Sequence, residues 1–436
     1  MHRSTIGRLW SRYRSVQIVY RLAVAFAIGA LVGLTVGERA TALRPLGDLF
    51  LRLLGMLVVP LVVFTILTGM ERLSPAKLGR IGGSVVLAYA VTTFVAGAIG
   101  LTLANLLNPG VGVTFTGGEA VSAETPRLES VLLGIVPENV FGAMARGDII
   151  AIIFFVVVFG LGLTIARETS EDARVTDGID TLFAISEAAT QALFKAVWGV
   201  MEYGVLGVFA LVAASVGTNG VGGILSLGSL VAVVALAVVV HMSVVYLGVI
   251  TMGVLGESPV AFLAGARDAM VTAFSIRSSS GTLPVTMTDA EEHLRIDESV
   301  YGFALPLGST INMDGAAIRQ GVTAVFAANI LGVQLGIGEQ VVALLTVVLV
   351  SVGTAGVPGA GLIMLTIVLQ TLGLPLEVVG FVAAVDPILG RIATTNNVTG
   401  DLAVSALVAK YNDAIDLEGG VWTGGGRNST PSAADE

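Results

Sequence analysis

The stretch Ser351-Val352-Gly353-Thr354-Ala355-Gly356-Val357-Pro358-Gly359-Ala360-Gly361 lies between two apolar arms, 341–350 and 362–372. Arms of that length are too short to cross roughly 30 Å of hydrocarbon, which takes about 20 helical residues. The Gly/Pro-rich centre cannot continue either helix, so it frees backbone polar groups at membrane depth. The same design occurs earlier in the chain. An apolar segment, 259–274, runs into Arg277-Ser278-Ser279-Ser280-Gly281-Thr282-Leu283-Pro284, and a second arm then ends at the charged run 289–298. Both interruptions contain Gly-Thr with a Pro shortly after, and each precedes a helix bearing an Asn and an Asp: Asn312 with Asp314, Asn397 with Asp401. Irregular backbone in a membrane is tolerated only when buried in protein or lining a cavity, and such interruptions repeated in two halves point to a transporter's binding site. Two surface loops between short helices would share the pattern but leave the carboxylates unexplained.

The rest of the chain agrees. It has 436 residues, 54% hydrophobic and 13% charged, where a soluble domain carries about a quarter charged residues. Apolar stretches at 16–37, 49–70, 85–107, 149–165 and 231–254 each suit a membrane helix. A net charge of −9 and the lack of a basic groove argue against nucleic acid. The absence of Cys excludes disulfides, thiolate metal sites and cysteine nucleophiles. His2, His241 and His293 are too scattered for a metal site, and His241, inside an apolar helix, reads as a hydrogen-bonded packing residue.

About six helices are expected before residue 256, joined by a long external loop (108–144) and a charged internal one (167–180), with one long helix over 180–217. The frequent glycines suit close helix packing. Arg3, Arg8, Arg12 and Arg14 precede a first helix read as uncleaved. By the positive-inside rule the basic N-terminus is cytoplasmic, as are Lys77 and Arg80, while Arg39 and Arg44 go against the rule. The Gly/Ser/Asp-rich tail from Gly419 reads as disordered and cytoplasmic. The chain is thus expected to be a multi-pass protein of the cell (cytoplasmic) membrane.

Helical spacing sorts the polar residues after 256. On a helix from Val300 to about Ile330, Asn312, Ala316 and Arg319 share a face; on the last helix Asp386, Gly390, Ala393, Thr394, Asn397 and Asp401 form a stripe. Ionisable groups at membrane depth are functional hypotheses by default, although Asp386 and Arg391 equally suit a structural pair. Asp314 and Asp401 each lie near an Asn and Gly-rich backbone, an oxygen-rich setting that suits a hard cation such as Na⁺. N–H groups at Ser279 or 359–361 suit a carboxylate.

Four runs carry a family resemblance: 278–284, PLGSTINMDG at 306–315, GTAGVPGAG at 353–361 and NVTGD at 397–401. They resemble the dicarboxylate/amino acid:cation symporters, the prokaryotic glutamate-transporter homologues, and the likeness runs over nearly the whole chain. It implies an all-α polytopic membrane protein with eight transmembrane helices, two re-entrant hairpins and inverted repeats. It also implies a homotrimer working by an elevator motion, with hairpin 2 as gate. Residues 1–76 would be scaffold, 77–107 transport domain, 108–220 scaffold and trimerisation region, 221–412 transport domain and 413–436 cytoplasmic tail.

The resemblance implies sodium ions and names three sites. One takes the carbonyls of Gly308, Asn312 and Asn397 with the Asp401 carboxylate. A second takes backbone oxygens of Thr310, Ser351, Val352 and Thr354. A third takes Tyr89, Thr92, Thr93, Asn312 and Asp314. Gln320 stands where proton-carrying eukaryotic members have Glu. The implied solute set is Arg277, Ser278, Ser279, Ala316, Arg319, Val357, Gly361, Gly390, Ala393, Thr394 and Asn397. Here the chain departs from the pattern: Gly390 replaces the Asp that holds an amino acid's ammonium, Ala393 replaces an Arg for the side-chain carboxylate, and Ala316 replaces a Thr. Arg319, where the family often has Tyr, could restore the cationic anchor for an organic anion without an amino group. It equally suits a pair with Asp386, and a neutral or acidic amino acid remains the other solute reading. The rival classes are an anion channel and, on Ser278–Ser280, an intramembrane serine hydrolase without a convincing base.

Overall fold

The computed structural model describes residues 13, 15–16, 18–71, 75–112, 133, 135–352 and 360–423, with side chains at all but 19, 75–80, 219, 352 and 360. Among them the structure is helical with no named strand, and several helices are long and apolar enough to cross a membrane. Helix α1 (Ile18–Val36) turns through a short 3-10 segment (Gly37–Leu43) into α2 (Arg44–Glu71), followed by α3 (Pro75–Leu107). Next come α4 (Val140–Arg146), α5 (Ile149–Thr169) and α6 (Ala173–His241), which continues as wider π-type turns over Met242–Leu255.

Gly220, at φ 62° and ψ −151°, divides α6; this backbone conformation is open to glycine and strained for other residues. The break separates apolar helices of 46 and 36 residues, so the long helix expected over 180–217 ends there. The charged loop expected over 167–180 is mostly helix. Asp172 caps α6 by accepting from the Arg174 N–H at 2.9 Å, and Arg167 pairs with Asp180 at 2.7 Å. The first two helices pack along α6. Gly29 and Gly33 permit this approach, since a Cβ at Gly29 would stand 2.6 Å from the Phe209 carbonyl oxygen. Large apolar side chains such as Leu31, Met56, Leu87, Leu225 and Met252 stay exposed, as a hydrocarbon-facing surface requires.

After residue 256 the helices shorten. The first hairpin consists of α7 (Pro259–Gly265) and α8 (Arg267–Ile276), bent 57° apart, then α9 (Ser279–Thr288). Arg277 makes the turn in the left-handed region at φ 59°, and Ser278 caps α9 by accepting from the Gly281 N–H at 3.0 Å. The second hairpin has arms α12 (Ile337–Val352) and α13 (Ala360–Thr371), and α14 (Glu377–Val382) leads to α15 (Asp386–Tyr411). Residues 353–359, which hold Thr354 and Val357, lie outside the described residues, as does the Val352 side chain.

One helix was expected from Val300 to Ile330, but the structure has two, α10 (Glu298–Ile311) and α11 (Asp314–Ile330). The chain unwinds at Asn312 (φ −89°, ψ 88°) and Met313 (φ −115°, ψ 46°). The amide oxygen of Asn397 on α15 accepts from the Gly315 N–H at 2.7 Å, satisfying a donor that the break would orphan. Asn312 therefore leaves the helical face it was expected to share with Ala316 and Arg319.

The end of the described chain is also ordered. Asp297 N–H donates to the Ala414 carbonyl, and the buried Trp422 indole donates to the Leu294 carbonyl at 2.9 Å. Gly419–Thr423 thus packs where disorder was expected, because the indole finds both a partner and cover.

Candidate functional site

Two buried polar clusters sit where α11 and α15 meet α3, α6 and the hairpins. The first surrounds two carboxylates. Asp314 starts α11, and its Oδ1 accepts from Thr93 Oγ1 of α3 at 2.5 Å while its Oδ2 accepts from the Tyr246 hydroxyl at 2.6 Å. His241 Nε2 lies 4.0 Å from the same Oδ2. Asp401 Oδ1 accepts from Asn312 Nδ2 at 2.9 Å, and that amide also reaches the Asn397 carbonyl at 3.3 Å. Gly308 faces Asp401 Oδ1 and the Tyr89 hydroxyl so closely that any Cβ would collide. Tyr89 donates to the Ala304 carbonyl at 3.0 Å, and Thr92 to the Tyr89 carbonyl at 3.2 Å.

The geometry thus brings together Tyr89, Thr92, Thr93, Gly308, Asn312, Asp314, Asn397 and Asp401. Asn312 Oδ1 is buried with no hydrogen-bond partner, so the cluster carries a surplus acceptor beside two acids. Among the described residues no group of three or more His, Cys, Asp or Glu could hold a metal. Two carboxylates with amide and hydroxyl oxygens suit a hard cation better than a soft one. Of the other residues that the resemblance assigns to sodium, Thr310 Oγ1 donates to the Leu307 carbonyl at 2.8 Å and Ser351 Oγ to the Val348 carbonyl at 2.6 Å.

Sequence reasoning missed Tyr246 and Asn396 and gave His241 only a packing role. His241 Nδ1 lies 3.3 Å from Asn396 Oδ1, Asn396 Nδ2 donates to the Tyr246 hydroxyl at 3.4 Å, and the His241 and Tyr246 rings meet edge to face at 4.7 Å. The wider turns after His241 alter the helical register, so a period of 3.6 does not place Tyr246 on the face it occupies. The adjacent amides Asn396-Asn397 were the signal available.

The second cluster is an ionic triad. Arg277 Nη2 donates to Asp386 Oδ2 at 2.7 Å, and Arg319 Nη2 donates to Asp386 Oδ1 at 2.6 Å. All three side chains are buried. The Asp386–Arg391 pair considered from spacing does not form: Arg391 Nη1 turns back to the Pro387 carbonyl at 2.9 Å. Gly361 and Gly390 border the two guanidinium groups, and Gly315 packs on the Ala393 backbone. Thr394 donates to the Gly390 carbonyl, and Ala316 is half-buried against the larger core. Ser279 Oγ is buried and unpartnered, whereas Ser278 is the cap of α9. A capping serine at a hairpin turn is not arranged as a hydrolase nucleophile beside a base.

The family model described as the sodium:dicarboxylate symporter family matches residues 18–411. The chain is 31% identical over 421 residues to a proton/glutamate-aspartate symporter of Escherichia coli, covering 92% of this chain and 93% of that one. It is 33% identical over 413 residues to a proton/sodium-glutamate symport protein of Bacillus subtilis (91% and 94% covered). It is 30% identical over 407 residues to a C4-dicarboxylate transport protein of Rhizobium johnstonii (91% and 89% covered).

Proposed function

The chain belongs to the sodium:dicarboxylate symporter family, a family of transporters and not of enzymes, and from that premise we propose that it imports a small carboxylate solute with sodium. The observation that carries sodium coupling is the Asp314–Asp401 cluster, with its buried, unpartnered Asn312 Oδ1. Uncompensated carboxylates at membrane depth are costly, and a sodium ion among these oxygens would offset that cost. Tyr89, Thr92, Thr93, Asn312 and Asp314 would hold one ion; Gly308, Asn312, Asn397 and Asp401 a second; Thr310, Ser351, Val352 and Thr354 a third under the gate.

The fold would be the eight-helix, two-hairpin elevator trimer. In it α1, α2, α5 and the first part of α6 form the scaffold, and α3, the part of α6 after Gly220, both hairpins, α10, α11 and α15 form the moving domain. Both termini would be cytoplasmic. The test is uptake in proteoliposomes. An inward sodium gradient should drive accumulation above equilibrium, and a proton gradient alone should not. Accumulation driven only by protons would overturn sodium coupling. Solute flux that never exceeds equilibrium under either gradient would favour the anion channel instead. A neutral or acidic amino acid is the alternative solute, since two of the relatives above are named for glutamate.

A further inference from the structure

We infer that Arg277 and Arg319, clasping Asp386 between them, form a net-positive anchor for a solute that carries carboxylates and no ammonium, with Arg319 its specificity-determining residue. The inference rests on the symport reading and names the solute class. Two guanidinium groups and one carboxylate leave a buried charge of +1, since arginine stays protonated in proteins. An uncompensated buried charge calls for a counterion.

The hydrogen bonding shows where that counterion fits. Each arginine spends Nη2 on Asp386, and both Nε atoms are buried without a partner, as is the nearby Ser279 Oγ. Surplus donors on two fixed planar forks suit carboxylate oxygens. An ammonium finds no equivalent. Both oxygens of Asp386 are taken, and Asp386 is the only acid paired with either arginine among the described residues.

Two glycines make room for the guanidinium groups. A Cβ at Gly390 would lie 2.8 Å from Arg277 Nη2 and 2.9 Å from its Nε, and a Cβ at Gly361 would overlap Arg319. Arg277 follows α8 in the first hairpin, Asp386 starts α15, Arg319 belongs to α11 and Gly361 lies in the second hairpin. A carboxylate held here therefore touches a relay joining both hairpins.

The test supplies labelled succinate, malate, aspartate and alanine to proteoliposomes with an inward sodium gradient. Succinate or malate should accumulate, and excess aspartate or alanine should not compete. Arg319→Gln should weaken the apparent affinity for the dicarboxylate about 10- to 100-fold, the range for losing a buried charged hydrogen bond. Stabilisation by sodium in the absence of solute should persist in that variant. Gly390→Asp sets a carboxylate against Arg277 and should move competition towards aspartate, an outcome that does not depend on the first variant folding well. Uptake of aspartate or alanine with the dicarboxylates excluded overturns the solute class and leaves symport standing. So does unchanged dicarboxylate affinity in Arg319→Gln together with unchanged competition in Gly390→Asp, which would make the triad a structural pairing alone. Sodium-driven uptake of none of the four would defeat the symport reading as well.

Discussion

The two clusters are built on the same helices and carry opposite surpluses. The Asp314–Asp401 cluster has two acids, neutral donors and a spare acceptor at Asn312 Oδ1; the Asp386 triad has two arginines, one acid and spare donors at both Nε atoms. Asp314 and Arg319 both lie on α11, and Asp386 and Asp401 both lie on α15. One end is therefore suited to cations and the other to an anion. Opposite charges held near one another in a low-dielectric interior attract far more strongly than in water. On the proposed sodium symport, filling either end would favour filling the other, and such linkage is reciprocal for the two affinities. This arrangement offers a physical route to coupled loading without contact between sodium and solute.

The contrast can be broken at several points, and the largest effect should come from the shared acid of the triad. Asp386→Ala leaves two buried guanidinium groups without an acid partner and should cost about 3–5 kcal/mol of stability, the range for breaking a buried ion pair. Thermal unfolding in detergent checks this. Sodium affinity measured on the folded fraction should change less than stability, and an equal change in both would merge the two clusters into one.

Asp401→Asn should act on the other end. It keeps the volume and removes the charge, so apparent sodium affinity should fall by roughly 2–3 kcal/mol, within the range for charged hydrogen-bonding groups. A sodium titration of uptake reads it, and an unchanged titration would remove Asp401 from the cation site. Tyr246→Phe deletes a donor to Asp314 without altering shape. It should weaken sodium affinity by about 1–2 kcal/mol, with solute specificity unchanged. The smallest change is expected at Trp422→Phe, whose indole bonds to neither cluster. Losing its bond to Leu294 should cost about 1 kcal/mol of stability and leave both affinities alone; a shift in either would link the end of the chain to the site.

Much of this was legible before the structure. The interrupted apolar segments follow from Gly/Pro placement, and Asp314 and Asp401 from acids in apolar runs; Tyr89, Thr92, Thr93 and Gly308 were implied only by the family resemblance, and the break at Gly220 was not anticipated. Tyr246 was not legible, because π-type turns change the register on which a helical wheel depends. Nor was the unwinding at Asn312, which a side chain from α15 supports.

The stretch of glycines and proline at 351–361, with its earlier counterpart, was enough by itself to point to a membrane protein with interrupted apolar segments, since backbone that cannot remain helical must be sheltered at that depth. Asp314 and Asp401 could also be singled out, because an acid flanked by apolar and small residues stands out in one dimension. The partners of Asp386 were decided only in three dimensions. Spacing offered Arg391 one turn away, whereas packing brought Arg277 from the first hairpin and Arg319 from α11. A side chain with several partners in reach takes the one that packing places there, and that choice is not encoded in its own helix.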